Sequence, residues 1–300
     1  MIQNFISAST SHNLYNTTMK PILTSALLAV SLASTPALHG AILINTPGSF
    51  GYSQDFNTPT YASEVATAGT GAISWSWTND STYAGWTRQV RIDSNGDRTD
   101  KDYIGEFSSN TIRFGNMGSS TSNSTDRTLG VLMEGDVGTL GNSVSFGVVF
   151  EVGAGLTVGS ATVGYTGEQW FRAATLDTMD FQYKVLSSYD AGSFGINDET
   201  GWTNFDSLDF TALVSGGNGK RDGNAAANRT TFSGATIGVS ATEGQFIAFR
   251  WNYDSDTTAT QAGLGVDDFL VNFTTVAIPE PSSAMLALLG AAFLLRRSRP

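Results

Sequence analysis

The chain contains no cysteine, only two histidines in 300 residues, and just 14 % charged residues. Each shortage excludes a class of protein. Without cysteine there is no disulfide scaffold, no thiol nucleophile and no Cys-ligated zinc or iron–sulfur centre. Both histidines, His12 and His39, fall in the N-terminal stretch. A domain built from the remainder has no His triad, no His metal site and no near-neutral imidazole shuttle. Basic residues are scarce as well: 16 Lys and Arg stand against 27 Asp and Glu, a net charge of −11. Phosphate backbones need a basic face, so nucleic acid is not an expected partner. Glycine is abundant, with 33 residues, and hydrophobic residues reach 40 %. That balance predicts a folded chain instead of a disordered one.

The two ends read as addresses. Met19 and Lys20 are followed by an apolar stretch from Ile22 to Leu32, then by the small residues Ser34, Thr35, Ala37, Gly40 and Ala41. A charge, a short apolar run and small residues in this order define a signal peptide, here 19–41, cut after Ala37 or after Ala41. The polar stretch 1–18 has no place in that scheme. It reads as an extension upstream of a start at Met19, the alternative being a long n-region. At the other end, Pro279, Glu280 and Pro281 precede an apolar run from Ser282 to Leu295, and Arg296, Arg297 and Arg299 close the chain. The 14-residue run falls short of the roughly 20 residues of an ordinary transmembrane helix. The basic cluster would stay cytoplasmic, which suits transient membrane anchoring.

The order of motif, short helix and basic end over 278–300 resembles the PEP-CTERM sorting signal of bacterial exopolysaccharide-associated proteins. The resemblance implies recognition by an exosortase, a membrane transpeptidase, near Pro279-Glu280-Pro281, and a destination at the cell envelope, cell surface or extracellular matrix; the alternative is an ordinary C-terminal membrane anchor. Four phrases between the ends are similar to those of secreted proteins of this kind: Tyr52 to Asn57, Tyr165 to Trp170, Asp222 to Thr230 and Gly263 to Phe269. That family carries no assigned activity. Similar domains look like carbohydrate-binding jelly rolls and concanavalin-like sandwiches, an analogy of fold only.

Between the addresses, 42–277 keeps 12 basic and 26 acidic residues, a net −14. Its apolar residues alternate with a period of two, the mark of half-buried strands. Examples are Ile73/Trp75/Trp77, Val144/Phe146/Val148/Phe150, Met179/Phe181/Tyr183/Val185, Ile247/Phe249/Trp251/Tyr253 and Phe269/Val271/Phe273. Asn116 to Asp126 and Ser215 to Asn228 are rich in Gly, Ser and Asn and read as loops. The pattern predicts one all-β domain, a jelly-roll or concanavalin-like β-sandwich with strands near both chain ends lying close. A signal helix and a short apolar helix flank it.

Several constellations stand out. Asp267-Asp268 opens the last strand, and Asp55 and Asn57 lie at the matching early position. In the carbohydrate-binding jelly rolls that such domains resemble, an Asp at this position joins an early acidic residue on a structural calcium, so the resemblance makes these four a candidate calcium site; Ca2+ takes several carboxylate, amide and carbonyl oxygens. The alternative is strand capping and turn chemistry. The stretch from Asp93 to Asp102 departs from the EF-hand pattern at its glycine and at its twelfth position, Ile104, and reads as a solvated turn. Glu168, Trp170 and Arg172 are a candidate sugar-contacting patch, with a buried Trp and a Glu–Arg pair as the structural alternative. Trp86 and Trp202, beside glycines, are the freer candidates for an exposed aromatic platform. Asp222-Gly223-Asn224 and Asn228-Arg229 read as turns.

These features predict an exported, non-catalytic polysaccharide- or matrix-binding protein, with exosortase and exopolysaccharide as partners and no cofactor beyond calcium. No catalytic residue is assigned. One alternative is a glycoside hydrolase or lyase using two carboxylates, nominally Glu168 and Asp254. The other is a purely structural surface protein with no exposed aromatic platform.

Overall fold

The computed structural model describes residues 40–57, 73–74, 77–91, 101–104, 113–117, 126–133, 143–190, 200–254, 260–279 and 289–292. The signal segment before residue 40, Trp75, most of the Asp93–Asp102 stretch, Glu280, Pro281, Arg296 and Arg297 lie outside them. Of the C-terminal apolar run, 289–292 are described and helical. No helix among the described residues is long and apolar enough to cross a membrane.

Sixteen strands are described. The first seven are β1 (Ile42–Ile44), β2 (Gly48–Gln54), β3 (Ile73–Ser74), β4 (Trp86–Arg91), β5 (Lys101–Ile104), β6 (Arg113–Met117) and β7 (Thr128–Leu132). The long ones follow: β8 (Ser143–Val152), β9 (Leu156–Arg172) and β10 (Thr178–Leu186). Short pieces come next, β11 (Thr203–Asn204), β12 (Phe210–Thr211) and β13 (Gly219–Lys220). The last three are β14 (Arg229–Thr242), β15 (Phe246–Asp254) and β16 (Gly263–Ala277). Asn116, expected in a loop, lies in β6. The expected loop 215–228 contains β13 and a 3-10 turn at Ala226–Asn228.

The strands form two sheets. One runs β1-β8-β15-β10-β11, with β4 also on β8 and β12 also on β10. The larger runs β13-β9-β16-β7-β6-β5-β3, with β14 on β9 and β2 on β16. The early strand β2 is antiparallel to the final strand β16, so the two ends of the domain meet as a jelly-roll reading requires. The fold is an all-β sandwich.

The alternating stripes are what close it. Ile247, Phe249, Trp251 and Tyr253 of β15 are all fully buried, as are Phe269 and Val271 of β16. Rings interlock between the sheets: Tyr165 meets Trp251 edge-on at 5.1 Å, Trp86 meets Phe269 at 5.4 Å and Phe150 meets Phe273 at 4.9 Å. Burying one large apolar side chain is worth about 1.5–3 kcal/mol, so the aromatic stripes supply much of the driving force that disulfides provide in smaller domains.

Trp86 corrects the expectation of a free ring. It is 0 % exposed and stacks on Trp251 at 6.1 Å. Its Nε1 donates to the Tyr52 hydroxyl at 3.0 Å. Gly85, at φ +77°, turns the chain so that β4 enters the sheet with Trp86 facing inward. The neighbouring glycine marks that turn and not an open surface.

Candidate functional site

The long strand β9 carries two faces. Ala161, Val163 and Tyr165 point into the core. Thr162, Gly164, Thr166, Glu168 and Trp170 belong to the other, outer face. The phrase Glu168-Gln169-Trp170 therefore lies inside β9. On neighbouring β16, Val266 and Phe269 both reach the core, although three positions separate them. A bulge makes this possible: the register shifts between Asp267 and Leu270, and Asp268 takes a positive φ of 50°. The extra residue puts Asp267 on the outer face and leaves Asp268 exposed.

Glu168 and Asp267 thus share the outer face on adjacent strands. Glu168 is opposite Gly265, and Asp267 is opposite Thr166. Both carboxylates are buried, at 0 % and 1 % exposure. Glu168 Oε2 accepts from Thr128 Oγ1 and from Trp170 Nε1, the latter at 3.0 Å. Glu168 Oε1 and Asp267 Oδ1 accept no hydrogen bond. Arg229, opposite Glu168 on β14, lies 3.9 Å from Glu168 Oε1 and 4.0 Å from Asp126 Oδ2. Both distances are beyond hydrogen-bond reach.

Burial dominates the electrostatics. It pushes the Glu168 carboxyl up to about 7; Asp126 adds to the rise, while the Thr128 and Trp170 hydrogen bonds and Arg229 oppose it. Asp267 goes to about 9 through burial first, then through the negative charges of Glu168, Asp268 and Asp126; the Asp268 N–H opposes in part. Desolvation and a like charge act in the same direction on a carboxyl.

A loop covers this cluster. Arg221 N–H donates to Trp170 O at 2.8 Å, β13 pairs with the end of β9, and Asn224 Nδ2 donates to Asp126 O at 3.1 Å. Gly223 lies flat on the Trp170 indole, where a Cβ would come within 2.3 Å of the ring. Asp222-Gly223-Asn224 is thus a turn, as the sequence predicts, and its glycine is required by Trp170. The sugar-contacting reading of Trp170 is corrected: at 2 % exposure it packs with Leu132 and Phe171. Arg172 is held apart from Glu168, its Nε donating to Gly217 O at 2.7 Å.

The four residues read as calcium ligands occupy one end of the same sheet. Gln54 pairs with Phe269, so Asp55 and Asn57 leave β2 beside the bulge. Asp55 Oδ1 accepts from Asn57 N–H at 3.2 Å, and Asn57 Oδ1 accepts from Arg127 N–H at 2.7 Å. Asp55 and Asp268 are exposed. Among the described residues, no three His, Asp or Glu side chains are grouped as metal ligands. The orphaned oxygens that suit a hard cation are those of Asp267 and Glu168, a pairing that sequence reasoning missed. Their meeting depends on strand register, which has no local signal.

Trp202 is half-buried on the outer side of the smaller sheet. The Arg250 guanidinium lies 4.1 Å from its ring centroid and Lys184 Nζ 5.9 Å. Asp254 ends β15 in that same sheet. It adds to the rise of Asp180, which burial first of all, then Asp209, Asp254 and Asp206, push to about 6. Glu168 and Asp254 therefore lie in different sheets, on opposite outer sides, and do not face each other.

A second feature of the larger sheet escaped the sequence reading. Gly51, Asn272, Thr162 and Thr236 lie side by side across β2, β16, β9 and β14, and Ser49, Thr274, Ser160 and Gly238 form the next row. Every one is exposed or half-buried, and none carries a charge. Thr162 and Thr236 bring their hydroxyls within 3.1 Å. Asn272 leans over Gly51, where a Cβ would stand 2.8 Å from Asn272 Oδ1. The available signal was the Ser, Thr and Gly alternation that accompanies the apolar stripes.

No protein-family model matches the chain, and no curated protein matches it. Solved structures similar to it include two cleaved adhesin domains of Lys-gingipain from Porphyromonas gingivalis. One is 15 % identical over 74 % of this chain and 97 % of its own, with a TM-score of 0.31. The other is 12 % identical over 75 % and 97 %, with a TM-score of 0.34. A third is TmCBM61 in complex with beta-1,4-galactotriose, 8 % identical over 61 % of this chain and 86 % of that one, TM-score 0.28. Likeness at this level carries no argument about ligand or activity.

Proposed function

We propose that this chain is an exported, non-catalytic protein of the cell surface or extracellular matrix that binds uncharged polysaccharide. The observation that carries the reading is the pair of charge-free rows on the outer face of the larger sheet. They stand out in a chain of net charge −11. Hydroxyl and amide groups donate and accept toward sugar hydroxyls without the cost of desolvating an ion. Their spacing is set by the sheet, about 4.8 Å between strands and about 6.8 Å along each strand. A polyanionic glycan would meet the repulsive field of the whole domain instead. Export and sorting rest on the two ends: the signal-like 19–41, and the tail with Pro279, Glu280, Pro281, Arg296 and Arg297, which an exosortase would recognise. In support, β1 starts at Ile42 and β16 ends at Ala277, so the last strand runs directly into the tail.

Fractionation of cells expressing the full chain tests the sorting half. The chain is expected in the matrix fraction, and the Glu280→Ala variant retained in the membrane fraction. Identical fractionation of the two would refute the exosortase step. Polysaccharide pull-down with the same chain tests the binding half separately.

A further inference from the structure

The geometry points to a divalent-cation site of the calcium class between Glu168 and Asp267, beneath the 221–228 turn. The argument starts from an imbalance. Two carboxylates on adjacent strands are withdrawn from water, yet Glu168 Oε1 and Asp267 Oδ1 receive no donor. A buried charge without a partner is costly, and buried carboxylates are paired, protonated or bound to metal. The hydrogen bonds that do reach Glu168, from Thr128 and Trp170, both go to Oε2 and leave Oε1 for another partner. Asp126 is a third carboxylate close enough to act on both groups. The cationic neighbour is Arg229, which stands 3.9 Å from Oε1 on the solvent side and is 38 % exposed.

The donor chemistry selects the ion. Every candidate ligand is an oxygen. Nitrogen and sulfur ligands, which zinc and copper prefer, are missing because the chain has no cysteine and its histidines lie before residue 40. Magnesium keeps several of its waters, which a site this closed to solvent does not accommodate. Calcium accepts an irregular shell of carboxylate, hydroxyl and carbonyl oxygens. The site uses Asp267 from the sequence-based candidate set but replaces Asp55, Asn57 and Asp268 with Glu168. It is independent of the polysaccharide reading.

The test uses the full-length chain, stripped with chelator and then given calcium chloride or terbium chloride. One calcium per chain is expected, together with a calcium-dependent rise in the melting midpoint. Bound terbium should emit on tryptophan excitation, because the Trp170 indole is hydrogen-bonded to Glu168, and calcium should displace it. Asp267→Asn should weaken calcium binding at least about tenfold, and Arg229→Gln should tighten it by removing the competing cation. Trp170→Phe should cut the sensitised emission several-fold. If Asp267→Asn does not fold, calcium stoichiometry and terbium emission of the native chain still decide. The inference is overturned if the native chain binds no calcium and its midpoint ignores the ion. It is equally overturned if Asp267→Asn binds calcium as the native chain does.

Discussion

Glu168 and Asp267 occupy the same face of adjacent strands, the first opposite Gly265 and the second opposite Thr166. Two carboxyl groups side by side in dry surroundings follow from one bulge residue, Asp268, which turns Asp267 away from the side of Phe269.

Stability in chelator should therefore fall as pH rises. Both groups titrate higher in the folded chain than in the unfolded one, near 7 for Glu168 and near 9 for Asp267. The folded state then holds more protons, so the gradient of unfolding free energy with pH is negative. The contribution of these two groups is fully present below about pH 4, where they are protonated in both states, and is lost between about pH 4 and 9. Unfolding free energies from urea curves at pH 5 and pH 8.5 should differ by a few kcal/mol, because each tenfold change in a group's proton affinity is worth roughly 1.4 kcal/mol. Calcium should flatten or invert the trend. Greater stability at pH 8.5 in chelator would be the wrong result.

Gly223→Ala should lift the turn off Trp170. A Cβ there overlaps the indole at 2.3 Å, which the turn or the ring has to vacate, at about 1–3 kcal/mol as for overpacking. Acrylamide quenching of tryptophan fluorescence should increase relative to the native chain. Unchanged quenching and an unchanged midpoint would show that the turn does not seal the cluster.

The two tryptophans that sit beside glycines should separate sharply. Trp86→Ala empties a site against Trp251, Phe56 and Phe269 and should cost about 3–5 kcal/mol. Trp202→Ala removes a ring lying over Arg250 and should cost nearer 0.5–2 kcal/mol. Denaturant curves of both variants measure the gap. Polysaccharide binding should survive Trp202→Ala, because the charge-free rows lie in the other sheet.

The sandwich is readable in the sequence because core aromatics repeat every second residue. Phe249, Trp251 and Tyr253 sit inside as their period requires. That rule breaks where register or backbone sign intervenes. Strict alternation sets Asp267 on the side of Phe269, but the positive φ of Asp268 inserts a residue and reverses it. Trp86 beside Gly85 reads as exposed, yet the glycine supplies a turn that aims the ring inward. Trp170 reads as available for sugar because nothing local to β9 announces that Gly223, far along the chain, lies on it. The charge-free rows are likewise a property of four strands side by side, and no single segment shows them.

Affinity electrophoresis of the full chain through gels containing neutral or anionic polysaccharides tests the central claim most directly. The native chain should be retarded by at least one neutral polysaccharide and not by anionic ones. Thr162→Glu with Asn272→Asp, which places charge in the middle of the rows without touching the core, should abolish most of that retardation while leaving the melting midpoint near its native value. Free passage of the native chain through every neutral polysaccharide, or equal retardation of the doubly charged variant, would contradict the account.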